Sequence, residues 1–442
     1  MDYIPENIKW VATTPKAPWK EIVHTEKTLT GDYIEITDKM QQRIDGFGGC
    51  FNELGWIAMK KLSEESCRKV LDLLFDPAKG CRFNFCRLPI GANDYATQWY
   101  SHNEVEGDYK MKHFSIERDE KCLLPYIREG LKRRPDMKLF ASPWSPPVWM
   151  KFPPAYNFGK LIKTHENLSA YALYLKKFLE AYKQKGIHIN QIHIQNEPIS
   201  SQKFPSCIWT GEELKVFIRD YLGPLFLNEG IDTEIWLGTI NGPEEGENML
   251  YTDYDDYTDL VLSDPEARKY ISGVGFQWAG KNSIQRTYES WPELKLMQTE
   301  NECGDGLNTW EYAQYVFKLL RHYINNGVTS YIYWNMVLQP GGQSTWGWNQ
   351  NCMITIDNGH FLLNPEFYVM KHFSHFIDPG AVVLKTKGHL TGNCLAFLNP
   401  DGKIVAVVQN PQERPRTFMI RNGGNEFSGK LEPLSINTLV FS

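Results

Sequence analysis

A chain of 442 residues with 42% hydrophobic and 23% charged side chains can bury a large core, which excludes a disordered or low-complexity polypeptide. Its net charge of −6 comes without a long basic run, so there is no electrostatic footprint for nucleic acid or an anionic membrane. No apolar run approaches the ~18 residues of a membrane span, and Met1-Asp2-Tyr3-Ile4-Pro5-Glu6-Asn7 lacks the basic and apolar regions of a leader. As given, the chain reads as cytoplasmic, or as secreted if a leader has been removed.

In chain order, the first forty residues read as strands, with Tyr33-Ile34-Glu35-Ile36-Thr37 alternating. Eight strand-like segments then recur: Arg43 to Phe51, Arg82 to Ile90, Met137 to Trp144, Asn190 to Glu197, Glu234 to Ile240, Ile271 to Trp278, Leu294 to Glu300 and Val328 to Asn335. Helical patterns fill the intervals. Ser63 precedes an acidic first turn and an apolar periodicity through Leu74; Leu168 to Lys185 is amphipathic and stops at Gly186. Thr210 and Glu213 form a capping box before Leu214 to Tyr221, and Asn308 with Glu311 opens a helix that stops at Gly327. Eight strands alternating with helices predict a closed (β/α)8 TIM barrel, in the α/β class.

Beyond Asp378 the pattern becomes short alternating strands, Ala381 to Lys385, Cys394 to Leu398, Ile404 to Gln409 and Thr417 to Arg421. Turns fall at Asn399-Pro400-Asp401-Gly402 and Asn422-Gly423-Gly424. Both termini are therefore expected to build one side β-sandwich. The expected organisation is 1–40 for the N-terminal strands, 41–377 for the barrel and 378–442 for the C-terminal part of the sandwich.

Several features have plain structural readings. Lys132-Arg133-Arg134 follows a helical pattern and precedes Pro135, as a solvated helix end would. Nine cysteines is an odd number, without CxxC pairing, and Cys50, Cys86, Cys207 and Cys394 have apolar or aromatic neighbours, which suits buried free thiols in a reducing compartment. The eleven histidines show no HExxH or paired ligand spacing, and there is no Walker A or GxGxxG motif, so no metal or cofactor is indicated. Gly46-Phe47-Gly48-Gly49 lies in the first strand rather than before a helix and predicts tight packing, not phosphate binding.

A barrel of this kind carries its active site at the C-terminal ends of its strands. Those ends hold Arg87 with Asn93-Asp94-Tyr95, Trp144, Asn196-Glu197, Gln277-Trp278, Glu300 and Trp334-Asn335. Glu197 stands before Pro198, which has no N–H and releases the chain into a loop. Two strand-end carboxylates are what glycosidic bond hydrolysis requires, one kept neutral to protonate the leaving oxygen and one ionised to support an oxocarbenium-like centre. Glu197 is the expected acid/base, its pKa raised by apolar walls and a second carboxylate, and Glu300 the expected nucleophile. Glu302 is the rival for the second role, nearer the loop Gly304-Asp305-Gly306, with rim hydrogen bonding as its other reading. Arg87 is too costly to bury unpaired and has the nucleophile as natural partner. Asp94 can accept hydrogen bonds from sugar hydroxyls. Of fourteen tryptophans, Trp144, Trp278, Trp334 and Trp346 are placed at strand ends or in the Gly341–Trp346 loop, where aromatic faces can pack against sugar C–H groups.

Gln42-Arg43-Ile44-Asp45-Gly46-Phe47-Gly48-Gly49, Ala141-Ser142-Pro143-Trp144-Ser145-Pro146-Pro147-Val148-Trp149-Met150-Lys151, Asn196-Glu197-Pro198 and Thr299-Glu300 together resemble glycoside hydrolase family 30. That family includes glucosylceramidase, β-glucosidases, β-xylosidases and β-1,6-glucanases. The segments Asn364–Tyr368 and Lys371–Ile377 resemble the passage where the family leaves its barrel for the sandwich. The resemblance implies a retaining β-glycosidase with Glu197 as acid/base and Glu300 as nucleophile, with no cofactor and a carbohydrate as partner. It also implies a glycone subsite lined by Arg87, Asp94, Trp144, Asn196, Trp278 and Trp334, with Asp94 matching a residue that holds the outer hydroxyls of glucose. One departure stands out: glucosylceramidase-like sequences continue His-Trp-Tyr after strand six, and this chain has Gln277-Trp278-Ala279, without the tyrosine that would touch the nucleophile. The leading expectation is an exo-acting β-glucosidase. The alternatives are a β-xylosidase, an endo-β-1,6-glucanase, and a carbohydrate-binding protein with a silent site. The loops Trp99 to Phe114 and Gln339 to Asn351 are expected to set glycone and linkage, and oligomeric state is left open.

Overall fold

The computed structural model describes residues 2–25, 31–242 and 254–442, so part of the expected N-terminal strand region, 26–30, lies outside the described residues. Eight parallel strands close into a barrel in sequence order: β1 Gly46–Cys50, β2 Phe85–Ile90, β3 Lys138–Pro143, β4 Gln191–His193, β5 Glu234–Ile240, β6 Ile271–Gln277, β7 Lys295–Glu300 and β8 Val328–Asn335. β2 and β8 are buried along their whole length rather than on alternate residues, because helices cover the outside and side chains fill the inside. Phe85, Phe140, Trp236, Met297 and Ile332 form that inner plug. Gly48 shows why β1 is glycine-rich: a Cβ there would lie 1.7 Å from the Phe85 carbonyl oxygen of β2.

Local sequence signals set most helix starts. Ser63 Oγ accepts from the Ser66 amide at the head of Glu64–Phe75, and the Thr210/Glu213 capping box forms in both directions. The helix behind that box is α over Gly211–Phe217, widens into a π-turn over Ile218–Leu222 and resumes as α over Gly223–Asn228, so the helical run continues past the expected end at Tyr221. His165–Gln184 begins directly after its Thr164 cap, three residues before the expected start. Trp310–Asn325 is capped by Thr309 rather than Asn308, whose own amide is taken by Asn351 at 3.2 Å. The basic cluster at 132–134 does end a helix, Leu123–Arg133, with Lys132 exposed as expected and Arg133 and Arg134 largely covered. Arg133 pairs with Asp72 and Glu129, Arg134 with Asp136 and Lys132 with Glu129.

The two termini meet in a separate nine-stranded sheet. Its order is Asn425–Leu431, Arg416–Asn422, Tyr33–Arg43, Val382–Lys387, Cys394–Leu398, Ile404–Asn410, Ser435–Phe441, Ile8–Thr13 and Lys20–Glu21. Ile8 pairs with Phe441 and Thr13 with Ile436, so the ends of the chain are adjacent strands. Trp10 packs edge-on against Phe418 and Phe427 in the core of this sheet. Buried His372, on the helix Pro365–Ser374, bonds Thr438 at 2.8 Å and Thr13 at 2.9 Å and so ties both termini to the barrel. All nine cysteines are free thiols, with Cys50, Cys86, Cys207 and Cys394 buried as expected. No helix among the described residues is long and apolar enough to cross a membrane.

Candidate active site

The wall of the site is barrel backbone. β4 ends at His193, four residues short of Glu197, where the sequence pattern placed its end. The chain nevertheless stays in the barrel: Gln195 N–H donates to Gly238 at 3.0 Å, Asn196 N–H to Pro143 at 2.8 Å and Glu197 N–H to Thr239 at 3.2 Å. Glu197 itself is in the left-handed region, φ 49°, a conformation that side-chain-bearing residues keep only where their surroundings over-determine it.

Glu300, the last residue of β7, is held from several sides. Arg87 Nη1 donates to its Oε2 at 2.7 Å, the Gln277 amide to the same oxygen at 3.3 Å, and the Trp278 indole to Oε1 at 2.9 Å. Arg87 is wholly buried and fully used, donating also to Ser142 at 2.8 Å and Asn196 at 2.6 Å. Its guanidinium lies 4.5 Å from the Trp144 ring centre and 5.5 Å from that of Trp334, and these two rings stack on each other.

Gln277 joins the two carboxylates. Its amide nitrogen lies 3.0 Å from Glu197 Oε1 and 3.3 Å from Glu300 Oε2, while its oxygen accepts from the Thr299 hydroxyl at 2.9 Å. The hydroxyl thus orients the amide with its donors toward the acids. The two carboxylate oxygens can be no farther apart than those two nitrogen distances laid end to end. That bound, set on one oxygen of each acid, is compatible with the ~5 to 5.5 Å carboxyl separation of retaining glycosidases.

Charge and burial separate the two groups. Burial, and then the charge of Glu300, push the Glu197 carboxyl up to about 8. Burial also raises Glu300, but the Arg87 charge and the donors from Trp278, Arg87 and Gln277 oppose it. Of the pair, Glu300 is the one built to ionise first. Asp94 is likewise buried and pushed up to about 8, with Gln350 hydrogen-bonded to it.

These groups open onto a cavity of about 680 Å³. Asp94, Trp144, Asn196, Glu197, Trp278, Glu300 and Trp346 line it, as the sequence led one to expect. Arg87, Gln277 and Trp334 instead lie behind its wall, no more than 1% exposed, and act on the lining residues. Trp334 and Asn335 donate to Gln350 at 2.9 Å, and a chain of amides runs on through Asn52 to Asn93. Rings frame the mouth in an unbroken arc: Phe204 to Trp346 at 5.3 Å, Trp346 to Trp348 at 5.3 Å and Trp348 to Trp278 at 5.9 Å. Trp348 and Gln350 were not singled out individually, but they lie in the Gln339 to Asn351 loop expected to set glycone and linkage; Phe204 had no signal in the sequence. Ser200, Gln202, Lys203, Asn241, Lys281 and Glu302 also line the cavity. Among the described residues, no group of three or more His, Cys, Asp or Glu side chains is placed to hold a metal ion.

Comparison with known proteins agrees with this geometry. Residues 44–377 match the Glycosyl hydrolase family 30 TIM-barrel domain, and residues 380–439 match the Glycosyl hydrolase family 30 beta sandwich domain. The chain is 29% identical over 429 residues to Putative glucosylceramidase 1 of Caenorhabditis elegans, covering 88% of this chain and 80% of that protein. It is 27% identical over 430 residues to Endo-1,6-beta-D-glucanase neg1 of Aspergillus fumigatus, covering 90% and 85%. Among solved structures, SrfJ from Salmonella typhimurium superposes with a TM-score of 0.88 at 27% identity, over 98% of this chain and 99% of that one. The chain belongs to glycosyl hydrolase family 30 and is a glycoside hydrolase.

Proposed function

We propose that this enzyme hydrolyses β-linked glucosides by double displacement, releasing one terminal sugar at a time with retention of configuration. Glu197 protonates the departing oxygen while Glu300 attacks the anomeric carbon; the resulting glycosyl ester is then hydrolysed by water that Glu197 deprotonates. The observation that carries this reading is the Gln277 amide within hydrogen-bonding distance of both carboxylates, with Arg87 on one of them alone. That asymmetry supplies a neutral acid and an ionised nucleophile at the same pH. Buried Asp94 on the cavity wall, held largely neutral at pH 7, is suited both to donate to and to accept from the outer hydroxyls of a hexose, which favours glucose over xylose. The nematode relative, named a putative glucosylceramidase, supports a β-glucoside as substrate.

An endo-acting β-1,6-glucanase is the second reading. It is favoured by the name of the fungal relative and by the polar lining at Ser200, Gln202 and Asn241, which can accommodate further sugar units. The deciding experiment is a panel of aryl β-glycosides (glucoside, xyloside, galactoside, fucoside), with the product anomer followed by NMR before mutarotation. Release of β-glucose supports the proposal. Release of α-glucose overturns the double displacement. Silence on every monosaccharide, with cleavage of β-1,6-linked glucan, transfers the assignment to the endo reading.

A further inference from the structure

Glu302 lines the same cavity as Glu300 but is already occupied. Its Oε1 accepts from the Lys281 ammonium at 2.7 Å and its Oε2 from the Tyr315 hydroxyl at 2.8 Å. Lys281 also donates to the Trp278 carbonyl at 3.3 Å, and its own carbonyl meets the His322 ring at 2.9 Å. Tyr315 and His322 both belong to Trp310–Asn325, the helix that follows β7. The short turn Trp278–Asn282 after β6 is therefore gripped by side chains that reach it from beyond the next strand.

That turn needs gripping. Trp278 adopts a left-handed backbone, φ 47°, which a bulky side chain disfavours and which persists only under external constraint. From this conformation its indole N–H reaches Glu300 Oε1 at 2.9 Å, whereas Arg87 and Gln277 both serve Oε2. The tyrosine expected by resemblance at the next position is Ala279, so in this turn the indole is the donor that reaches the carboxylate. A single neutral N–H is directional, and a small turn of the ring forfeits it.

We propose, on the reading that Glu300 is the nucleophile, that the Lys281–Glu302 ion pair positions Trp278: it locks the turn that keeps the indole N–H on the attacking carboxylate. The pair is only partly exposed, 27% for Lys281 and 15% for Glu302, so water screens it less than a surface pair. Neither residue is given a chemical step.

The test combines kinetics with a signal that needs no substrate. Enzyme containing 5-fluorotryptophan gives a ¹⁹F line for Trp278, assigned by its loss in Trp278→Phe. Lys281→Met and Glu302→Gln are each expected to move or broaden that line, and Lys281→Arg to restore it. An unmoved line in both folded variants overturns the clamp. On aryl β-glucosides, Lys281→Met is expected to lower kcat/KM about tenfold, by a similar factor for good and poor leaving groups, and to have no further effect in a Trp278→Phe background. Multiplicative losses in the double variant, or a loss confined to one class of aglycone, would mean that Lys281 acts directly on substrate, and would overturn the proposal. Glu302→Gln keeps an acceptor for Tyr315, so it separates the ion pair from folding. A wild type inactive on every glycoside would remove the nucleophile assignment, while the ¹⁹F arm would still decide whether the clamp holds the indole.

Discussion

The two cavity carboxylates lie within reach of one amide nitrogen, yet their surroundings differ in almost every other respect. Glu300 ends a regular strand, carries a buried guanidinium at 2.7 Å and receives donors on both oxygens. Glu197 ends an irregular segment in left-handed conformation, and its side chain accepts from the shared Gln277 amide. The same residue type is thereby given two protonation habits by burial and partners alone, because a buried acid ionises readily only where a charge or several donors receive it. The shared amide is uncharged, so it links the acids without biasing either toward ionisation by its own titration.

Replacing each acid in turn should break this comparison most visibly. Glu300→Ala and Glu197→Ala are each expected to lower kcat by about 10⁴-fold or more while leaving sugar binding largely intact. Azide distinguishes them: with Glu197→Ala it should restore turnover and give a β-glycosyl azide, and with Glu300→Ala an α-glycosyl azide, as read by NMR of the product. Unchanged turnover in either variant would remove that residue from the mechanism.

The next largest effect is expected at Arg87. Arg87→Met leaves the Glu300 carboxylate buried without its cation, at a cost of about 3 to 5 kcal/mol in urea unfolding near pH 7. With the opposing charge gone, the Glu300 pKa should rise, so the acid limb of kcat/KM moves to higher pH. If that limb stays in place, the asymmetry between the two acids does not come from Arg87.

The pH profile of the intact enzyme sharpens the same contrast. On the proposed roles, with Glu300 ionised and Glu197 protonated in the active form, kcat/KM should rise with pH as Glu300 loses its proton and fall as pH passes the Glu197 value of about 8. Glu197→Gln is expected to abolish the falling limb in whatever activity remains.

The acid also makes the fold less stable at neutral pH. The folded pKa of Glu197 is raised above its unfolded value of ~4.3, so its contribution to stability is complete below about pH 4 and is lost as pH rises toward 8, at about 1.4 kcal/mol per pH unit. Glu197→Gln should therefore melt a few degrees higher than wild type at pH 7 to 8 and no higher near pH 4, as measured by calorimetry. Equal melting at both pH values would mean that the group is not held neutral.

The smallest effect is expected at the aromatic arc. Trp346→Ala should raise KM several-fold on disaccharide substrates with little change in kcat, the result expected of a cavity-lining ring that packs on sugar equally in the ground and transition states; an unchanged KM would remove the ring from substrate binding.

Much of this was legible in the order of residues. The eight strand positions, the Ser63 and Thr210 helix caps, the buried thiols and the Glu197/Glu300 pair follow from local pattern: turn residues, capping hydroxyls and acids at strand ends are short-range features. Other features had no local signature. Thr309 rather than Asn308 caps its helix, because the Asn308 side-chain oxygen that a cap would use accepts instead from the Cys352 amide, over forty residues away. Glu302 is separated from Glu300 by Lys281 and Tyr315, from two different segments. Arg87, Gln277 and Trp334 proved to be buried supports behind the cavity wall rather than lining, while Phe204 reached the cavity unannounced. The sequence by itself determined the barrel, the paired termini and the two acids, since periodicity and strand-end position are properties of neighbours in the chain. Which acid has a cation, which shares an amide and which is already bonded were decided only by tertiary structure, because desolvation and Coulomb interaction depend on distance in space and not on separation along the chain.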